Sequence, residues 1–228
     1  MTAFVEKEKI KPRIARRIAR EFLDAETSLI INLGVGTPTM VSQYLTNGTV
    51  YIQAENGMLG VGPLADETNQ DPYLINAGRQ MVTETPGCSY FDSALSFGMI
   101  RGGHVDVTVI GAFEVDAQAN IANWIIPNGR QLGVGGAMDL VTGAKRVIVG
   151  MPHFQKNGQS KIVESCTFPI TGLHEADLIV TELGVFDFPG GFLTLEEIAP
   201  ELDVHTLRSV TRAEFRISDQ LRPMATAE

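Results

Sequence analysis

At 228 residues the chain is long enough for one large α/β domain with a substantial core, and its net charge of −9 argues against a nucleic-acid partner, since nothing here neutralises a phosphate backbone. No apolar run is long enough to span a bilayer, and the N-terminus mixes Glu and Lys where a secretory signal needs an apolar core. Cys88 and Cys166 have neither ligand nor redox spacing. The expectation is a cytoplasmic protein of one domain over residues 1–228, without membrane contact.

The first element is a helix, with Pro12 in its first turn. Ile10, Ile14, Ile18 and Phe22 recur every four residues, with Ala15, Ala19 and Leu23 beside them. Lys11, Arg13, Arg16, Arg17 and Arg20 occupy the other faces. That basic run fits either an anion site or a solvated face, and the second is the commoner use of such a run. Ser28 to Leu33 reads as a strand running into Gly34-Val35-Gly36-Thr37-Pro38 and a short helix from Thr39 to Leu45. A strand, a glycine loop and a helix start let backbone N–H groups approach an anion. A tight strand-to-helix turn explains the same residues, and Thr39 breaks the Gly-x-Gly-x-x-Gly dinucleotide pattern, so no nicotinamide is expected.

Thr49 to Gln53 is β-branched, aromatic and apolar, and reads as a second buried strand. Glu55 appears where it runs out, followed at once by the turn dipeptide Asn56-Gly57. In open α/β sheets, ligands collect beyond the carboxyl ends of strands, so a carboxylate there is placed for chemistry. A solvated turn acid is the plainer alternative. Gly57 to Gly62 reads as a loop, and Leu74–Ala77 and Gln80–Thr85 as short strands. Asp92 caps a helix over Ser93–Ile100 that Gly102-Gly103 ends.

Val105–Ile110 is a strand, and Glu114 to Trp124 a hairpin that accounts for Glu114 and Asp116. Gly133 to Val141 is a second glycine turn into a short helix. Val147–Val149, Lys161–Ser165 and Leu178–Thr181 read as strands, Glu196–Ala199 and Thr206–Arg212 as helices, and Glu214–Ser218 as the last strand. Gly190-Gly191-Phe192 reads as a turn before a strand. The four histidines have no ligand spacing among themselves, and no metal is expected; His104, in its Gly-Gly-His block, is open to a packing or a functional reading. Arg79, Arg101 and Lys145 are candidate partners for an anion, with surface ion pairing as the alternative. The whole pattern predicts an α/β fold: a single open, mostly parallel sheet with flanking helices.

Several ordered blocks carry a resemblance: Asn32-Leu33-Gly34-Val35-Gly36-Thr37-Pro38, Glu55-Asn56-Gly57, Asn76-Ala77-Gly78, Met99 to Asp106, Ala122-Asn123-Trp124, Gly135 to Val141 and Leu221-Arg222-Pro223-Met224. From about Ile14 to Met224 the chain resembles the β subunit, or the equivalent C-terminal half, of family I CoA-transferases. Within them it is most similar to the 3-oxoacid group, which includes succinyl-CoA:acetoacetate and butyrate/acetate:acetoacetate transferases. That resemblance implies Glu55 as the nucleophile and the Gly136 amide as one oxyanion donor. The other donor would come from an α subunit, in a heterodimer or an α2β2 heterotetramer. Gly34, Gly36, Asn56, Gly57 and Gly135 become the candidate contacts to coenzyme A, a co-substrate, with no tightly bound cofactor. The implied reaction moves CoA between an acyl-CoA and a 3-oxo or short-chain carboxylic acid through a glutamyl-CoA thioester. Two alternatives stand beside it: an acyl-CoA thioester hydrolase on the same scaffold, and a non-catalytic domain binding a sugar phosphate or effector. Two positions depart from the family pattern. Ala54 replaces the serine before the nucleophile, and Asn128-Gly129-Arg130 stands where close relatives have Gly-Lys.

Overall fold

The computed structural model describes residues 4–46, 48–127, 129 and 133–225. Asn128 and Arg130, where the chain departs from the family pattern, lie outside the described residues.

Helix α1 (Lys7–Leu23) buries Ile14, Ala15, Ile18, Ala19 and Phe22, as the four-residue spacing predicts, while Leu23 is exposed. It starts earlier than expected, which puts Pro12 inside the helix rather than in its first turn. The missing Pro12 N–H leaves the Glu8 carbonyl without its intrahelical partner, close to the exposed N-terminal turn. Its basic residues are not all solvated. Arg17 is buried and donates to both Glu197 oxygens, at 2.7 and 2.9 Å, and to Glu21 at 2.6 Å. Arg13 pairs with Glu201 and also donates to the Glu182 carbonyl oxygen. Burial works against a charged Glu197, but its bonds from Arg17 and Arg222 outweigh that and hold it below the usual carboxylate range.

Strands β1 (Leu29–Leu33), β2 (Val50–Ala54), β3 (Met58–Leu64) and β4 (Val82–Tyr90) follow, with a 3-10 helix (Pro38–Tyr44) between the first two. Helix α2 (Ser93–Arg101) begins at Asp92, whose carboxylate accepts from the Leu95 N–H. Then come β5 (Val107–Ile110), β6 (Glu114–Asp116), β7 (Ile121–Ala122), helix α3 (Ala137–Gly143), β8 (Arg146–Gly150) and β9 (Ile162–Val163). The chain continues with β10 (Leu178–Val180), β11 (Gly184–Asp187), a 3-10 turn (Pro189–Gly191), β12 (Thr194–Ile198), helix α4 (Val204–Val210) and β13 (Arg216–Pro223). Ten strands form one open sheet in the order β13-β12-β11-β10-β8-β5-β1-β2-β3-β4. Its centre, β10-β8-β5-β1-β2, is parallel throughout, and the antiparallel pairs lie toward the two edges. A small sheet, β7-β6-β9, contains the expected hairpin. Glu114 and Asp116 are buried there and accept backbone N–H groups of Thr167, Phe168, Gln118, Asn120 and Cys166, which is a structural use of both acids.

Leu74–Ala77 is not a strand: only Ile75 is paired there, with Met81, in an isolated bridge. Two more segments differ from expectation for physical reasons. Residues 57–62 are not a loop: β3 leaves the Asn56-Gly57 turn and pairs back on β2. Glycine is required there for close strand approach, since a Cβ on Gly62 would sit 2.6 Å from Thr83 Oγ1 and 2.9 Å from its carbonyl oxygen. Glu196–Ala199 is not helical, because Glu197 on β12 turns inward to meet Arg17. Tertiary pairing overrides the helix propensity of Glu. Among the described residues no helix is long and apolar enough to cross a membrane.

His153, just beyond β8, is completely buried, with a threonine hydroxyl facing each ring nitrogen, Thr181 at 3.3 Å and Thr211 at 3.2 Å. Burial pushes its pKa down to about 4, against a raising hydrogen bond with Val210. An unfolded chain binds the proton more readily, so this contribution to stability is complete above about pH 6.5 and is lost as pH falls toward 4. Between those limits the loss should reach about 3 kcal/mol, and His153→Gln should show a correspondingly shallower decline in thermal stability from pH 7 to 5.

Candidate active site

The site lies at the carboxyl edge of the parallel strands, where β1 ends before Gly34 and β2 before Glu55. Gly57 makes the turn after Glu55 possible. Its φ is +125°, and a Cβ there would lie 2.1 Å from the Phe91 carbonyl oxygen, so no other residue fits. Gly57 also donates to the Ala54 carbonyl and accepts from the Phe91 N–H. Asn56 is exposed and donates to the Ile75 carbonyl at 2.8 Å. The turn is thereby locked on both sides, and Glu55, half-buried, projects from a fixed base.

Gly136 reaches the same edge by a different route. It does not directly follow a strand of the main sheet. The chain leaves β5, makes the small sheet, and returns as α3, which crosses over to β8 and must start at the carboxyl edge. Gly136 is the N-cap of α3, and its own N–H has no hydrogen-bond partner among the described residues. A Cβ placed on it would meet Glu55 Cγ at 3.3 Å and the Phe97 ring at 3.2 Å. Glu55 and Gly136, distant in the chain, are therefore neighbours, with Phe97 of α2 closing the third side. Gly136→Ala should push Glu55 or Phe97 aside by a few tenths of an ångström. If the resemblance holds, kcat should drop about tenfold or more, with a smaller change in KM, in steady-state assays of CoA transfer.

The other expected contacts separate into two kinds. Gly36 and Gly135 are exposed, with open space around their α-carbons. Gly34 is not free in the same sense: its N–H donates to the Val109 carbonyl at 2.8 Å, and its carbonyl accepts from Thr39 Oγ1. Arg101 and Lys145 are in surface ion pairs, with Asp139 and Asp106. Arg79 is exposed, and its side chain has no hydrogen-bond or ion-pair partner among the described residues. His104 packs against Gly102.

Three residues at the site had no role assigned from sequence. Asn32 Nδ2 donates to Glu55 Oε2 at 3.1 Å, Gln53 accepts from Asn32, and Gln53 in turn donates to Ser96. The available signal was a lone amide in each of two apolar strands, Leu-Ile-Ile-Asn-Leu and Val-Tyr-Ile-Gln-Ala. A narrow cleft opens on one side of Glu55, lined by Leu33, Ile52, Ala54, Val61 and Asn76 among others, with a volume of about 30 Å³.

The sequence profile of the family described as Coenzyme A transferase matches residues 11–209. The chain belongs to the coenzyme A transferase family. A relative in Escherichia coli (strain K12), the beta chain of an acetate CoA-transferase, is 48% identical, with 92% of this chain and 95% of that one covered. Another in Bacillus subtilis (strain 168), one of the subunits of a probable succinyl-CoA:3-ketoacid coenzyme A transferase, is 43% identical over 92% of this chain and 97% of that one. In fold the chain is similar to the acyl-CoA transferase of E. coli O157:H7 in a thioester complex with CoA, with a TM-score of 0.75 at 21% identity. That likeness covers 95% of this chain and 43% of the other, so this chain corresponds to under half of that CoA-transferase's length. The chain is thus a CoA-transferase polypeptide of the β type, and the open, mostly parallel sheet with flanking helices is the expected one.

Proposed function

We propose that this CoA-transferase chain moves CoA between an acyl-CoA and a short-chain or 3-oxo carboxylic acid, with Glu55 as nucleophile and an α subunit as obligate partner. The observation that carries the reading is the nearness of the Glu55 side chain to Gly136, whose N–H has no hydrogen-bond partner among the described residues, at one sheet edge. A Glu55 oxygen attacks the acyl-CoA carbonyl, the C–S bond breaks, and CoA leaves as thiolate from a mixed anhydride. The thiolate then attacks the Glu55 carbonyl carbon and expels the first acid as carboxylate. Glu55 now carries CoA as a thioester. The second acid attacks that carbonyl, releases thiolate, and gives a new anhydride from which thiolate takes the acyl group. No proton is gained or lost across the cycle, so no general base is needed. The thioester bond is exchanged rather than hydrolysed.

Each attack builds negative charge on a carbonyl oxygen, and the Gly136 N–H is a preorganised donor for it. The α subunit supplies the second donor in this account, in a heterodimer or an α2β2 assembly. Val35, Ile75 and Met81 are exposed apolar residues, with Gly78 close to Val35 and Ile75 paired with Met81, and such a surface suits a partner chain. The test is product analysis by the assembled enzyme given acetyl-CoA with and without acetoacetate. Acetoacetyl-CoA formed without free CoA supports transfer. Free CoA released at the same rate with no acceptor would instead mark a hydrolase.

A further inference from the structure

We propose that Gln53 and Ser96 are positioning residues that aim Glu55 through Asn32. This rests on the reading of Glu55 as nucleophile. The three polar side chains come from β2, α2 and β1, and none is more than 2% exposed. Burying polar groups costs free energy unless they are paired, so three in one line need a reason. Parallel pairing sets Asn32 beside Gln53, and the line ends at the Glu55 carboxylate.

The line has a direction. Gln53 Oε1 accepts from Asn32 Nδ2 at 2.8 Å, and Gln53 Nε2 donates to Ser96 Oγ at 2.8 Å, which anchors the far end of the Gln53 side chain. Asn32 must then present its NH2 group to Gln53, and the same NH2 group reaches Glu55. An amide turned the other way would set Asn32 Oδ1 against both Gln53 Oε1 and the Glu55 carboxylate. The Gln53 carbonyl oxygen, 3.1 Å from Asn32 Nδ2, opposes that turn as well, and Asn32 Oδ1 is buried with no hydrogen-bond partner among the described residues. Asn32 is therefore held by the backbone and the side chain of Gln53 together, and the Gln53 side chain is anchored at Ser96.

The bonding also responds to the reaction. Asn32 Nδ2 has two hydrogens for three acceptors: Gln53 Oε1 at 2.8 Å, the Gln53 carbonyl at 3.1 Å and Glu55 Oε2 at 3.1 Å. One hydrogen goes to the short contact, and the other is shared between the Gln53 carbonyl and Glu55. A charged acceptor draws the shared hydrogen more strongly than a neutral one. The free carboxylate is gripped, and a neutral glutamyl thioester is released from the grip.

The experiment uses the complex with its α partner and four variants: Glu55→Ala, Gln53→Leu, Ser96→Ala and the Gln53→Leu/Ser96→Ala double. Gln53→Leu should lower kcat about 100-fold, with KM for the acyl-CoA within about twofold, as expected of a nucleophile misaimed by about an ångström. Ser96→Ala should lower kcat by about tenfold, and the double variant should be no slower than Gln53→Leu, because Ser96 acts only through Gln53. Two unrelated structural lesions would multiply instead, and a multiplied loss would overturn the proposal. Thermal unfolding is followed for each variant. If Gln53→Leu does not fold, Ser96→Ala decides alone: a kcat loss of about threefold or more at constant KM supports the proposal, and a smaller one overturns it. An inactive Glu55→Ala beside near-normal Gln53→Leu and Ser96→Ala would overturn the positioning role and leave the nucleophile reading intact. An active Glu55→Ala would overturn both.

Discussion

Replacing Glu55 by alanine is expected to abolish CoA transfer, with a loss of about 10⁴-fold or more in kcat in the assembled enzyme. Losses of that size follow removal of a covalent nucleophile. Glu55→Asp should lose at least about 100-fold, because a carboxylate one methylene shorter misses its near-attack position by about an ångström. Neither change should unfold the chain. Glu55 is half-buried, and its one side-chain hydrogen bond among the described residues, from Asn32, is shared with the Gln53 carbonyl. Normal thermal unfolding with no turnover is the expected combination.

The second large effect concerns the partner. The purified chain alone should show below about 1% of the complex's turnover. On this account it carries one oxyanion donor, Gly136, and lacks the second. Loss of one such donor typically costs about 10²–10³ in rate. Adding the purified α subunit should restore activity in proportion to complex formed. Full turnover by the chain alone, with acetyl-CoA and acetoacetate, would contradict this.

Much of this was legible before any coordinates, for a physical reason. Glu55 stands at the end of an apolar strand and before a glycine turn, a local pattern that survives folding unchanged. Gly136 was legible as a glycine turn before a helix, but its contact with Glu55 was not, since the excursion through β6 and β7 sets that geometry. Glycines misled in one direction: Gly60 and Gly62 read as loop residues and are strand residues in close contact with β4. Charge misled in another. Arg17 belongs to a basic run that reads as a solvated face, and it forms a buried pair with Glu197 only when α1 lies on the sheet. Ser96 gave no signal of its own, because a serine in a helix is informative only once its partner, Gln53, is known.

Covalent capture at Glu55 tests the central claim most directly. The complex is incubated with acyl-CoA and no acceptor, treated with borohydride, digested, and the peptide containing Gln53 to Gly60 is weighed. Reduction of a glutamyl thioester turns the Glu55 side chain into a primary alcohol. The account predicts that mass change at Glu55, dependent on acyl-CoA and absent from Glu55→Ala. An unmodified Glu55 in an enzyme that still transfers CoA, or the label on another residue, would contradict it.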